Sequence, residues 1–479
     1  MKLSALLPEW TKIEDEKEIS SLCFDSREAK EGSLYFCIPG GNADGHSFAY
    51  SAVASGATAI VVERLVDLHV TQIVVPDARK ALALAAARFY GEPAKKLKLI
   101  GITGTNGKTT TTYIVESILK AAGLKTGVIG TSGIFIGSQK IEAKLTTPDP
   151  TDFHAILAQM VEAEVDFVVM EVSAHSLALR KMFGVQFDVT AFTNFSRDHL
   201  DFFGDMDTYF DAKRKLFTPE YSKFSVFNAD DDRIRALSQS CAVPNITFGY
   251  HNPADVFGIR LSMGPKGLRY IINHHDDIGE IKFSSPGKFN MYNTLCAATI
   301  CGHLGIALEA IQKGIAGVEK IEGRFQIIPA KKCNIIVDFA HTDDGLTNIL
   351  STIREFAPKR VLTVFGCGGD RDRTKRPLMG KIVSSLSDYC FITSDNPRTE
   401  PSLHIMRDIR RGVSEAKMEY CKLIEDRKEA IKQALEFAED GDVLLVAGKG
   451  AEKYMEIGTE KIPYNDEEYI LELLKEGQY

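Results

Sequence analysis

Along most of this chain, short unbroken apolar runs alternate with longer stretches in which apolar residues recur every three or four positions. The first pattern suits strands buried on both faces, the second the helices that cover them. In residues 1–95, SLYFCIP and ATAIVVE have strand length, and YSAVASGA between them predicts a short helix ending at Gly56. GEPAKKLK (91–98) interrupts the rhythm as a polar junction with Gly and Pro. The alternation resumes with LIGIT (99–103) as a strand and TTYIVESILKAAG as a helix. Its Ile114, Val115, Ile118, Leu119 and Ala122 share a face, and Gly123 is placed to stop it. DFVVMEV (166–172), VTAFTNF (189–195) and FSVFNAD (224–230) read as parallel-type strands.

After about residue 325 the pattern restarts. NIIVDFA, RVLTVFG, YCFITS and DVLLVAG are strand-like, separated by helical stretches such as DGLTNILSTIREFA and PSLHIMRDIRRGV. This predicts a second open, doubly wound unit. At 479 residues the chain exceeds one ordinary core. The expected architecture is α/β throughout, in three domains: 1–95, 96–325 around a parallel-rich sheet, and 326–479.

Composition narrows the function classes. Apolar content of 44% and charged content of 25% are those of an average soluble protein. A formal charge of −8 offers no general attraction for nucleic acid. No apolar run approaches the roughly 18–20 residues of a membrane span, and MKLSALLPEWTKIEDE turns acidic too soon for a secretory signal. Nine cysteines without a CxxC pair read as reduced thiols in a cytoplasmic protein.

The first candidate chemistry is ITGTNGKTTTT (102–112). A strand, a Gly/Thr turn and a helix starting near Lys108 make an anion site, because backbone N–H groups and the helix dipole converge there. The spacing is not that of the common phosphate loop: five residues, not four, separate Gly101 from Gly107. Gly104 and Gly107 allow close approach to phosphate, Lys108 supplies charge, and the Thr109 hydroxyl can ligate Mg²⁺.

Glu171 ends an apolar strand and emerges where open α/β sheets bind ligands; it is a candidate for Mg²⁺ or a solvated strand end. His199, between Asp198 and Asp201 in NFSRDHLDFFGD, is a metal ligand or a structural histidine. Lys213 in DAKRKLF reads on its own as a surface lysine. Arg371, Arg373, Lys375, Arg376 and Arg398 gather near two strand ends of the last domain, as a site for a substrate bearing several carboxylates or phosphates or as solvated charge.

In order, TGTNGKTT, LTTPD, EVSAHS, NFSRDHLDF, DAKRKLF, GKFNMYN, EGRFQ, VDFAHT, GCGGDRD, SDNPRTE and AGKGAE resemble the Mur ligases of peptidoglycan synthesis, specifically the members that add the third stem-peptide residue. The resemblance runs from FDSRE (24–28) through AGKGAE (447–452). It implies an N-terminal UDP-sugar domain, a central ATPase and a C-terminal Rossmann-like domain that brings in the amino acid. The implied reaction uses ATP and Mg²⁺ to activate the D-Glu side-chain carboxylate of UDP-MurNAc-L-Ala-D-Glu as an acyl phosphate, which an amine then attacks. A cytoplasmic monomer is expected.

By the same resemblance, Gly104, Thr105, Asn106, Gly107, Lys108, Thr109 and Thr110 hold ATP phosphates. Thr109 and Glu171 bind one Mg²⁺ and His199 a second, and Lys213 matches the family's carbamylated lysine. Asn293 resembles the adenine contact, Arg324 the nucleotide-phosphate arginine and Asp338 the ribose ligand. Phe24, Ser26, Gly41, Asn42 and Ala43 fall where uridine diphosphate is held; Thr146, Thr147, Ser173 and Lys181 fall where the muramoyl-peptide is held. In SDNPR, Asp395, Asn396, Pro397 and Arg398, with Arg371, Gly448 and Glu452, imply meso-diaminopimelate as the amine, because an Arg fork reads its distal carboxylate and lysine would leave that Arg unpaired.

Three positions depart from the family pattern. Lys181 stands where many relatives have Arg, with Arg180 beside it; Asp343 stands where AHTPD is usual; Ala451 replaces a His. The rival readings are a folylpolyglutamate synthetase, a phosphate-loop GTPase or kinase, and a non-catalytic UDP-sugar binder.

Overall fold

The computed structural model describes residues 1–11, 17–41, 43–274, 277–357 and 359–475. Three principal sheets follow one another along the chain. The first has four parallel strands in sequence order, Ser21–Cys23, Ser33–Phe36, Ala57–Val62 and Thr71–Val74. Helix Ala78–Phe89, N-capped by Asp77, lays Ala78, Ala81, Leu82 and Ala85 against Leu34, Phe36, Val61 and Ile73.

The central sheet has eleven strands. Its middle is parallel, in the order Asn245–Gly249, Ser225–Asn228, Val189–Phe192, Lys98–Thr103, Phe167–Glu171, Thr126–Gly130. On one flank Val256–Gly264 joins Asn245–Gly249 in parallel and Gly267–His274 and Asp277–Phe283 follow antiparallel; on the other, Gly133–Ile136 and Gln139–Ile141 are antiparallel. Helices Lys108–Ala121, Lys288–His303 and Leu308–Ala316 cover one face and Pro150–Glu162 the other. Ile114, Val115, Ile118 and Leu119 are fully buried, as their spacing predicts. Ala122 is exposed instead, because the helix ends at Ala121 and the chain turns through Gly123 at φ 83°.

The third sheet runs Gln326–Pro329, Cys333–Asp338, Asp442–Ala447, Val361–Phe365, Tyr389–Ile392, Cys421–Leu423, parallel except for the first strand. Helices Asp343–Phe356, Lys375–Leu386 and Ser402–Arg410 pack on one face, Arg427–Phe437 and Asp466–Lys475 on the other. Several apolar runs outlast their strands by two or three residues. The run 189–195 ends its strand at Phe192; the Thr193 N–H still meets the Thr103 carbonyl at 3.0 Å, while its hydroxyl turns to the Asn106 carbonyl at 2.7 Å. Those overruns are the loops that build the site. Among the described residues no helix is long and apolar enough to cross a membrane.

Candidate active site

Strand Lys98–Thr103 lies between Val189–Phe192 and Phe167–Glu171, and the loops leaving the three carboxyl ends meet in one cleft of about 980 Å³. Residues 104–107 link the first strand to helix Lys108–Ala121. A Cβ on Gly104 would lie 1.9 Å from Thr193 Oγ1, and one on Gly107 would lie 2.3 Å from Asn293 Oδ1; both glycines also have positive φ. Only glycine fits either place. Lys108 Nζ donates to the Gly104 and Thr105 carbonyls at 2.9 Å each, which curls the loop around its own cation. Burial lowers the Lys108 pKa, with Glu171 opposing, so a bound polyanion would favour the charged form.

Glu171 is almost wholly buried at its strand end. Its Oε1 accepts from Thr109 Oγ1 at 2.9 Å and from the Thr131 N–H at 2.8 Å. A hydroxyl and a carboxylate side by side are hard oxygen donors of the kind Mg²⁺ takes. Lys213, on helix Met206–Arg214, is 1% exposed and donates to the Gly104 carbonyl at 2.8 Å. Burial drives its pKa far below the ordinary lysine value and Lys108 pushes it further. It is no surface lysine.

His199, in left-handed backbone at φ 55°, sits 3.3 Å from Asp198 Oδ2, and its ring meets that of His175 edge-on at 4.7 Å. Burial holds its pKa down against the pull of Asp198, which keeps a neutral imidazole able to ligate. Among the described residues no three His, Cys, Asp or Glu side chains converge as a ready metal shell.

Residues at and beyond the start of the last sheet also line the cleft. Arg324 reaches back to Thr109 Oγ1 at 3.2 Å and stacks on Phe339 at 4.4 Å. Asp338 accepts from the Phe325 and Ala340 N–H groups at 2.7 Å each, and burial raises its pKa against Arg324. Asp344 Oδ2 accepts from Asn106 Nδ2 at 2.9 Å and Ser196 Oγ at 3.2 Å, while Arg197 pairs with Asp372 at 3.2 Å. Asp343 opens helix Asp343–Phe356, a first-turn position that favours both Pro and an acid. Asn293 is buried on helix Lys288–His303, within the cleft lining.

On the opposite wall stand Thr146, Thr147, Ser173 and Lys181. Thr147 Oγ1 donates to the Glu171 carbonyl at 2.8 Å and accepts from the Ser173 N–H at 3.0 Å. Lys181 pairs with Asp149 at 2.7 Å inside the cleft, whereas Arg180 pairs with Asp77 of the N-terminal domain at 3.0 Å. Phe24, Ser26, Gly41 and Ala43 follow two adjacent parallel strands of the first sheet, away from the cleft lining. Asn42 lies outside the described residues.

The five cations of the last domain do not act as one patch. Arg376 is fully buried between Glu400 at 2.7 Å and Asp408 at 3.1 Å, and Arg373 shares Glu400 at 3.1 Å. Lys375 is buried, donates to the His341 carbonyl at 3.1 Å and lies 4.0 Å from Asp198. Acids distant in sequence consume these charges. Arg371 lines the cleft, and Arg398 occupies the next loop with the buried Asp395 and Asn396. Burial raises the Asp395 pKa, but Lys449 and Arg427 outweigh it and hold the carboxyl low. Gly448 makes room, since a Cβ there would meet Asp395 Oδ2 at 2.5 Å. Asn396 donates to Glu452 Oε2 at 2.9 Å. Lys449, absent from the expected set, is fully buried and donates to Asn396 Oδ1 at 3.0 Å and Glu452 Oε2 at 2.8 Å. Its place in a Gly-Lys-Gly turn after a parallel strand is the signal that could have found it.

Comparison with known proteins gives a consistent result. Residues 18–90 match the description "Mur ligase family, catalytic domain", 102–301 the "Mur ligase middle domain" and 323–450 the "Mur ligase, glutamate ligase domain". A UDP-N-acetylmuramoyl-L-alanyl-D-glutamate--2,6-diaminopimelate ligase from Clostridium botulinum is 42% identical over 472 residues, covering 97% of this chain and 96% of that one. A solved structure carrying the same ligase name superimposes with a TM-score of 0.70 at 27% identity, over 100% of this chain and 99% of the other. The MurF ligase from Thermotoga maritima, solved with ADP, shares the fold at 18% identity and a TM-score of 0.63, over 91% and 94% of the two chains.

Proposed function

The chain belongs to the Mur ligase family, and we propose that it uses ATP to join meso-diaminopimelate to the D-Glu side-chain carboxylate of UDP-MurNAc-L-Ala-D-Glu, in peptidoglycan synthesis. One observation carries this reading: a single cleft unites the phosphate loop, the buried Lys213 and Arg371 of the last domain, next to the Asp395–Arg398 loop. An enzyme that only hydrolysed or transferred phosphate would have no use for that last wall.

The loop amides and Lys108 receive the ATP phosphates and offset the charge that builds during transfer. Asn293 and Asp338 hold the adenine and ribose, and Arg324 the nucleotide phosphates. Thr109 and Glu171 fit one Mg²⁺, and His199 with a carbamylated Lys213 a second; bound there, the metals would neutralise charge on the phosphoryl oxygens. The N-terminal loops at Phe24, Ser26 and Gly41–Ala43 hold the uridine diphosphate, while Thr146, Thr147, Ser173 and Lys181 place the peptide carboxylate before the γ-phosphate. Transfer yields an acyl phosphate and ADP. The amine, oriented by Arg371, Arg398 and Glu452, attacks the acyl carbon; phosphate leaves and the amide forms. The cleft's lining residues come from one chain, which supports a monomer. The nine free thiols support a cytoplasmic location.

The test is phosphate release by purified enzyme with ATP, the UDP-muramoyl dipeptide and a panel of amines. Release that depends on meso-diaminopimelate, far above that with L-lysine, is expected, and Arg398→Ala should raise the diaminopimelate KM sharply. Equal turnover of the two amines would sink the selectivity.

A further inference from the structure

Arg398 is already gripped in its loop. Its backbone is left-handed at φ 52°, a conformation that costs a non-glycine residue energy and must be held by its surroundings. The strand Tyr454–Ile457 does the holding. The Arg398 N–H donates to the Glu456 carbonyl at 3.1 Å, and its carbonyl accepts from the Gly458 N–H at 2.8 Å. The side chain meets the same residue: Nε donates to Glu456 Oε2 at 2.9 Å, and Nη1 donates to the Gly369 carbonyl at 2.7 Å. The Glu456 N–H in turn donates to Asn396 Oδ1 at 2.9 Å, so one residue grips both Asn396 and Arg398.

The guanidinium tip lies close to the cleft wall. A Cβ on Gly368 would stand 3.0 Å from Arg398 Nη1 and 3.8 Å from Arg371 Cγ. The tip therefore lies beside the arginine that lines the cleft. Arg398 and Glu456 keep side-chain exposures of 20% and 26%, open enough for a substrate carboxylate to approach. An isolated exposed ion pair does little. Here two main-chain hydrogen bonds fix the backbone, and the bond from Nη1 to the Gly369 carbonyl holds the guanidinium from its other end, which lowers the entropy cost of keeping it in one rotamer.

We propose that Glu456 is a positioning residue for amino-acid selection. Its carboxylate takes the Nε side of Arg398 and fixes the fork, so that the remaining N–H groups meet the distal carboxylate of the incoming amino acid. The inference rests on the proposed diamino dicarboxylic substrate. It adds a residue that acts through Arg398 and does not touch the reacting atoms.

The experiment measures phosphate release by the full-length enzyme and its Glu456→Ala and Glu456→Gln variants, with the KM of each substrate taken separately. Glu456→Ala should raise the meso-diaminopimelate KM about tenfold or more, with kcat held within about twofold and the ATP and nucleotide KM values unchanged. Gln keeps an oxygen acceptor for Nε, so Glu456→Gln should restore most of the loss. The KM for L-lysine, which has no distal carboxylate, should not move. An unchanged diaminopimelate KM in active Glu456→Ala overturns the proposal. So does a rise shared by all three substrates, which would mark a structural role. A wild-type enzyme indifferent to meso-diaminopimelate overturns the underlying substrate reading, and is seen before any variant is made.

Discussion

Lys213 Nζ donates to the Gly104 carbonyl at 2.8 Å, joining a buried lysine to the first glycine of the phosphate loop. No carboxylate pairs with it among the described residues, and burial together with Lys108 favours its neutral form. A neutral amine can add CO₂, releasing a proton, and the resulting carbamate would add two oxygens to the His199 side of the cleft. Lys213→Ala should therefore cut turnover by roughly 100-fold. Short carboxylic acids such as acetate or propionate should recover part of it in the phosphate-release assay. A folded Lys213→Ala enzyme that no small acid restores would count against the carbamate.

The phosphate loop was legible because it is local: a strand, two glycines, a lysine and a helix within a dozen residues. The parallel strands were legible because burial on both faces leaves continuous apolar runs. The strands Val256–Gly264, Gly267–His274 and Asp277–Phe283 were not, since only one face is buried and a register shift between Arg260 and Ser262 breaks the alternation. Cations misled for a different reason. Lys213, Lys375 and Arg376 look solvated in sequence, and their burial is set by partners far along the chain. The contact of Asn106 with Asp344 spans 238 residues, and no local pattern could announce it.

Arg427 and Asp466 form a second buried relationship of that kind, with both side chains at 0% exposure and 2.7 Å apart. Arg427 also donates to the Ala447 carbonyl at 2.9 Å, and the Tyr464 hydroxyl donates to Asp466 at 2.8 Å. The pair thus ties helices Arg427–Phe437 and Asp466–Lys475 to the strand end that leads into Gly448. Asp466→Ala strands a guanidinium in the core and should destabilise the C-terminal domain by about 3–5 kcal/mol. The double change Arg427→Met with Asp466→Leu should recover much of that, because it removes both desolvated charges. Urea unfolding of the three proteins checks this; a loss below about 1 kcal/mol in Asp466→Ala would match a surface pair and not a buried one.

His154 gives the fold a dependence on pH that owes nothing to catalysis. It lies on helix Pro150–Glu162 at 1% exposure, edge-on to Phe153 at 5.1 Å, and among the described residues neither ring nitrogen has a partner. Burial pushes its pKa down from 6.5 to about 4. Above pH 6.5 both folded and unfolded chains carry it neutral, and it adds no pH dependence. As pH falls from 6.5 toward 4 the unfolded chain takes up a proton that the folded chain refuses, so stability is lost across that window, by about 3 kcal/mol in all. At pH 5 the loss due to this residue should be about 2 kcal/mol. His154→Leu fills the same apolar site without a titrating group. Urea midpoints of wild type and His154→Leu at pH 7.5 and pH 5 isolate the effect, because every other titrating group is shared. The variant should lose less stability on acidification, and equal losses would mean that His154 is protonated or solvated in the fold.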